Sequence, residues 1–390
     1  MLHLRTWPAG TWPVAPRRMV SLAFAAALAI CLIVLSAGSG MAQGAVRPPA
    51  NAVGNAGPAE RVITTPEKGG SYDIELWQKL RQGVRGSVSI PDKKAGVLVQ
   101  SGGEGWRLTR RGELPRWGGY ALGGMLALLA LFFLVRGRIR VDGGLSGIKI
   151  ERFENLERVA HWLMAVSFII LGLTGLNVLY GREVLMPILG KEAFAGLSVA
   201  AKWLHNYVAF AFVAGLILSF VVWVRHNFPN QHDVVWLARA GGMLSKHSHP
   251  PARKFNAGQK ILFWLVMLGG LSLALSGLSL MLPFEFALFS KTFSLLNAVG
   301  FNLPTNLSAV EEMQYAATWH SIMALFLICV IFAHIYIGTI GMEGAFDAMG
   351  SGEVDLNWAK EHHSVWVEEE LDRERMVPRG STGGRIQPAE

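Results

Sequence analysis

Residues Gln314 to Ile340 read QYAATWHSIMALFLICVIFAHIYIGTI, an apolar run interrupted by His320 and His334. It exceeds the ~20 apolar residues that cross a hydrocarbon layer about 30 Å thick, so it reads as a membrane-spanning helix. The two histidines are 14 residues apart, which at 3.6 residues per turn is close to four turns. Both side chains therefore point to nearly the same face, roughly 21 Å apart along the axis. One lies near each surface of the membrane. His161 and His205 each open another apolar run, so histidines recur at two depths.

The chain has 390 residues, 51% hydrophobic and 16% charged, with a mean hydropathy of +0.34. Charge is scarce and the apolar residues cluster in long runs, which is the composition of an integral membrane protein. The net charge of +8 sits mostly in loops beside those runs. That is a topology signal, so nucleic acid is not an expected partner. Only Cys31 and Cys329 are present. Thioether-linked haem, cysteine-held iron–sulfur clusters and a zinc finger all lack their ligands.

In chain order, residues 1–42 read as an export signal: Arg17 and Arg18, an apolar stretch Ser21 to Leu35, and small residues at Gly40-Met41-Ala42. An uncleaved anchor is the alternative. Residues 43–115 form an exported segment: a flexible Ala/Gly/Pro tether, a short helix at Asp73–Gln82, then either a hairpin with strands at Gly96–Gln100 and Trp106–Arg110 or, equally well, a stiff linker. Five apolar spans follow at about 117–135, 159–180, 204–224, 260–282 and 315–340. Loops 136–158 and 225–259 are rich in Lys and Arg and the opposite loops are poor, so these two loops and the tail read as cytoplasmic. Arg107, Arg110, Arg111 and Arg116 run against that rule. In the tail, residues 342–390, Asn357–Arg375 reads as one surface helix with Glu368-Glu369-Glu370 on a solvated face.

Depth sorts the histidines into two pairs, His161 with His334 and His205 with His320. Inverting the topology exchanges the sides and keeps the pairs. Taken singly, each residue reads equally well as a histidine bonded across helices or resting at the interface beside a tryptophan. As a set, two opposed imidazoles at each of two depths suit the axial positions of b-type haem. With both positions filled, the chemistry is electron transfer rather than oxygen activation. Gly172, Gly175, Gly215, Gly269, Gly270 and Gly277 admit a flat ring or close helix packing. Arg152 and Arg158 are candidate partners for haem propionates, and the charge rule accounts for them equally well.

The run Arg152-Phe to Glu157-Arg158-Val-Ala-His161-Trp162, Trp203-Leu-His205, the loop Lys254-Phe-Asn256-Ala-Gly258-Gln259-Lys260, and Trp319-His320 with His334 resemble the cytochrome b556 (gamma) subunits of respiratory formate dehydrogenases. Those are related to the cytochrome b subunits of membrane-bound hydrogenases. The resemblance covers about residues 148–376. It implies an all-α membrane protein, a di-haem four-helix transmembrane bundle over 148–341, to which this chain adds an N-terminal transmembrane helix at 116–136 and its exported segment. It implies two haem b groups with His161, His205, His320 and His334 as iron ligands in the pairs above. It further implies a quinone site at His334, Asn256 and Gly258, less securely Ala257 and Gln259.

The partners so implied are a catalytic molybdenum or tungsten formate dehydrogenase subunit and an iron–sulfur subunit, with quinone as substrate, in the bacterial inner membrane. The chain would be the quinone-reducing electron-transfer subunit of a formate:quinone oxidoreductase and would not oxidise formate alone. A hydrogenase cytochrome b is the nearest alternative, and a haem-free transporter or anchor is one of another class. His226, His232, His247, His249, His362 and His363 are candidates for proton delivery or a metal site, against the ordinary reading of solvated loop histidines.

Overall fold

The computed structural model describes residues 103–376 apart from 246 and 284. The export signal, the tether, the helix at 73–82 and the first hairpin strand lie outside the described residues. The long helices are α1 (Leu114–Arg136), α2 (Asn155–Val184), α3 (Lys191–Trp223), α5 (Ala257–Met281) and α7 (Ala309–Tyr336). Short helices α4 (Gln231–Ala238) and α6 (Leu288–Ala298) sit in the loops flanking α5. In the tail are α8 (Leu356–His362) and α9 (Ser364–Met376). Five helices, counted with their flanking turns, are long and apolar enough to cross a membrane, so the protein is an all-α membrane bundle.

Polar residues start three of the five long helices where the apolar pattern alone would start them several residues later, while α3 starts after Gly190 with no side-chain cap. Glu154 and Glu157 form a capping box at α2, Asn256 and Gln259 at α5, and Ser308 and Glu311 at α7. Each box satisfies backbone donors that the first helical turn leaves open. Glu157 does more. Its Oε1 accepts from Lys254 Nζ at 2.7 Å and from Trp223 Nε1 at 2.9 Å, tying the start of α2 to the end of α3 and to the loop before α5.

Helices α2 and α3 are antiparallel and close. A Cβ on Gly215 would stand 2.7 Å from the Met164 backbone nitrogen, so only glycine permits the approach. Helix α5 meets α7 at Gly269, where a Cβ would lie 3.1 Å from Leu327. Helix α1 packs on α7. A Cβ on Gly118 would stand 2.6 Å from Leu325, and Phe132 and Phe133 both meet Tyr336 edge-on. Its other side exposes Leu126, Leu128, Leu131, Leu134 and Val135, a surface suited to lipid rather than water.

In loop 282–308, Glu312 of α7 is buried and its carboxylate accepts from Phe289 N at 2.9 Å and Ser290 N at 2.6 Å. It thus serves as the N-terminal cap of α6 from outside that helix. Glu312→Ala leaves those donors open, at a cost of about 1–2 kcal/mol. Faster amide exchange confined to α6 is the expected result. Unchanged protection of α6 would refute the capping role.

Two sequence expectations are corrected. Trp106–Arg110 is not a strand: Gly103–Leu108 is α-helical and Thr109–Glu113 continues as π-helix into α1. Helix places Arg110 over the Trp106 ring at 5.2 Å and lets Thr109 Oγ1 donate to Gly105 O, contacts that a lone marginal hairpin does not offer.

The tail is not one surface helix. His363 breaks it (φ −146°, ψ 46°), and Trp358, Ala359, His363, Trp366 and Val367 are buried. With β1 (Lys149–Glu151) paired antiparallel to β2 (Glu353–Asp355), the tail closes one end of the bundle as a packed cap. Glu368 is exposed as expected, while Glu369 pairs with Arg253 at 3.1 Å.

Candidate functional site

The four histidines meet in the pairs that depth requires. His161 on α2 faces His334 on α7 with ring centres 6.1 Å apart and planes at 66°, beside the capped end of the bundle. His205 on α3 faces His320 on α7 at 6.3 Å and 65°, at the other level. A metal–imidazole bond of about 2.0–2.1 Å, plus roughly 1.1 Å from ring nitrogen to ring centre, puts two opposed ligands of one metal about 6.3 Å apart. Both pairs fit the two axial ligands of one iron.

Their immediate surroundings differ. His205 Nδ1 is 2.8 Å from Thr174 Oγ1, and His320 Nδ1 is 2.9 Å from Ser276 Oγ. His161 Nδ1 is buried without a partner. An orphaned buried nitrogen is unusual in a finished protein core, and here it belongs to a proposed ligand. A Cβ on Gly277 would lie 3.3 Å from His320 Cε1, and one on Gly175 3.6 Å from His205 Cε1. These two glycines keep side chains off the imidazoles, while Gly215 and Gly269 serve helix contact.

Arg152 and Arg158 are engaged elsewhere. Arg152 is 3% exposed, donates through Nη2 to Lys254 O at 2.7 Å and to His363 Nε2 at 2.9 Å, and its guanidinium lies over Phe153, Trp358 and Trp366. Burial pulls its pKa down to about 9. Arg158 donates to the carbonyls of Met349 and Gly350. Both hold the cap in place, while Arg152 Nε and Nη1 are buried without a hydrogen-bond partner.

At the loop, Asn256 Oδ1 accepts from Gln259 N at 2.9 Å while Gln259 Oε1 accepts from Asn256 N at 3.1 Å. A Cβ on Gly258 would stand 2.7 Å from the Trp236 ring. Both residues thus have a structural duty. Among the described residues, no hydrogen bond or ring contact joins Asn256 or Gly258 to His334. An apolar groove of about 560 Å³ does begin at Ala257 and Lys260 and runs between α5 and α7 past Leu268 and Met323 to Trp319. Lys260 is only 5% exposed, and Asp233 accepts from it at 2.8 Å, so the polar end of the groove is neutral overall.

The loop histidines are mostly accounted for. His247 Nδ1 and His249 Nε2 both approach Asp142 Oδ2, at 3.1 and 2.9 Å, and hold that carboxyl below its usual range. His226 is bonded by Arg225, and the backbone nitrogen of His232 belongs to the α4 cap. His363 Nδ1 donates to Arg253 O at 2.7 Å. Burial, then the nearby His249 and Arg152, pulls His362 down to about 4. Among the described residues, no three such side chains converge to hold a metal ion.

A membrane bundle with two stacked imidazole pairs has the architecture of a membrane cytochrome. The chain belongs to the prokaryotic cytochrome b561 family, whose model matches residues 152–352, and such a family implies haem b. The match contains all four paired histidines and begins after α1.

The chain is similar to the cytochrome b556(fdo) subunit of formate dehydrogenase from Escherichia coli (strain K12), 29% identical over 221 residues, 56% of this chain and 92% of that protein. It is similar to the nitrate-inducible cytochrome b556(Fdn) subunit of the same organism, 27% identical over 222 residues, 56% and 91% of the two chains. It is also similar to a formate dehydrogenase cytochrome b556 subunit from Haemophilus influenzae, 27% identical over 227 residues, 57% and 84%.

Proposed function

We propose that this chain is the membrane cytochrome b subunit of a formate dehydrogenase, carrying electrons from a catalytic and iron–sulfur module through two b haems to quinone. The observation that carries the reading is the spacing of the two imidazole pairs, 6.1 and 6.3 Å between ring centres. His161 with His334 and His205 with His320 hold the two groups. A bound haem b supplies one-electron exchange at an iron with no open position. The named relatives favour formate dehydrogenase over hydrogenase, and a family of cytochromes argues against a transporter.

The basic loops and the capped end face the cytoplasm of a bacterial inner membrane, in keeping with the charge rule. Electrons then move inward against the membrane potential, about 2.3 kcal/mol per 100 mV for each charge, so the donor is strongly reducing, as formate is. Quinone is reduced near His334, Asn256 and Gly258. The groove starting at Ala257 gives an isoprenoid tail an apolar path, and protons enter from the cytoplasmic side.

The test is haem content and spectrum of the purified full-length chain, with the subunits that accompany it. Two b haems per chain and a co-purifying molybdenum or tungsten subunit are expected. A colourless protein would end the proposal.

A further inference from the structure

We propose that Thr174 and Ser276 are positioning residues that fix the tautomers of His205 and His320 and hold the haem between them at a lower midpoint potential than the haem between His161 and His334. The inference rests on the two-haem reading above. Each hydroxyl has one proton to give. Thr174 Oγ1 donates to Ile170 O at 2.8 Å, and Ser276 Oγ donates to Ser272 O at 2.8 Å, in each case the carbonyl one turn back in the same helix. With that proton committed, each hydroxyl oxygen can only accept from the imidazole beside it. The Nδ1–H of His205 and of His320 is therefore the donor, and Nε2 keeps the lone pair that binds iron.

An imidazole that donates a hydrogen bond is the more basic ligand, and a more basic ligand favours the more highly charged, oxidised iron. At the other level nothing comparable is present. His161 Nδ1 has no partner, and among the described residues no hydroxyl is bonded to either ring. In ring separation and tilt the two pairs are otherwise alike, so the hydroxyls, beside the Leu171 and Leu273 carbonyls that also bond these two rings, are what this level has and the other lacks. The resulting difference favours the electron at the His161–His334 level, the direction that the proposed function requires. No bond forms or breaks. One iron is oxidised as the other is reduced.

The experiment is a potentiometric titration of the full-length, haem-loaded protein in membranes, read at the reduced b-type absorption bands. Thr174→Val keeps the side chain's shape and removes the hydroxyl, and Ser276→Ala removes the other. In the double variant the lower of two titration steps should rise while the upper stays in place. A tenfold change in electron sharing between the haems would appear as about 59 mV. Thr174→Ser should restore most of the shift at its site. His334→Ala, which removes a ligand of the other haem, should leave the lower step. Two haems per chain with both steps unmoved in the double variant, or a shift of the upper step instead, would overturn the inference. Wild-type protein without haem would sink the two-haem reading itself, and a separate haem assay tells the two failures apart. Where the double variant loses haem, Ser276→Ala alone should still raise the lower step and Thr174→Ser should leave it in place, and a lower step unmoved by Ser276→Ala would overturn the inference.

Discussion

Replacing His334 by alanine should reduce quinol formation by the complex to background while leaving formate oxidation with an artificial dye at its normal rate. The substitution removes one of two opposed imidazoles whose centres lie 6.1 Å apart. His161 alone then faces a gap, and haem content should fall from two per chain to one. The remaining pair lies roughly 21 Å away along α7, four helical turns, across hydrocarbon that offers the electron no substitute carrier. In the proposed function formate is oxidised by a separate subunit, so dye-linked activity should persist. The bundle itself should survive, because α7 is held by Leu325, Leu327 and Ile328 in the core and by the Ser308 cap at its start. The readouts are quinol formation, dye reduction and the amplitude of the reduced b bands on one membrane preparation. Wild-type quinol formation with half the haem would place the electron path elsewhere.

Much of the pairing of the four histidines is legible in the sequence. A spacing of four turns on one apolar helix, with two further histidines at the starts of apolar runs on opposite sides, forces two pairs by depth alone. The structure brings the same four side chains together, although α3 itself begins at Lys191, well before His205. What was illegible depends on register between helices. Thr174 meets His205 only because α2 and α3 run antiparallel at the separation that Gly215 sets. A threonine or serine inside an apolar span carries no mark of such a partner.

The tail failed for another reason. Its polar composition read as solvated surface, yet Trp358, Trp366 and Val367 supply an apolar stripe that the basic loops cover, and Arg152 is buried among three rings at a cost that its lowered pKa records. Capping boxes moved the helix starts outward from the apolar runs, since Glu154, Asn256 and Ser308 satisfy helix donors where hydropathy sees only polarity.

That buried cap should be sensitive to acid, through His363. The ring is 1% exposed, its Nδ1 donates to Arg253 O, and its Nε2 accepts from Arg152. The groups facing it are the Arg152 guanidinium, the neighbouring His362 and the Trp358 ring. Burial, and then the positive Arg152, pushes its pKa well below the ordinary 6.5. A histidine depressed in the fold contributes no penalty above pH 6.5, where both folded and released forms are neutral. As pH falls through 6.5 the released tail takes up a proton that the docked tail refuses, so docking weakens. At pH 5 that amounts to about 2 kcal/mol, set by the released histidine at 1.36 kcal/mol per pH unit. His362, pulled down to about 4, acts in the same direction.

Lowering the pH from 7.5 to 5 should therefore raise amide exchange and protease sensitivity across α8 and α9, with α2, α3, α5 and α7 unaffected. His363→Ala should loosen the same helices already at pH 7.5, because Arg152 loses one of its two acceptors for a buried charge, a loss of about 1–3 kcal/mol when a buried hydrogen-bond partner is removed. It should also flatten the remaining pH dependence. A tail equally protected at pH 5 and 7.5 in the wild type, or a His363→Ala tail as well protected as wild type, would mean that the apolar stripe alone holds the cap and that the Arg152–His363 contact contributes nothing to its docking.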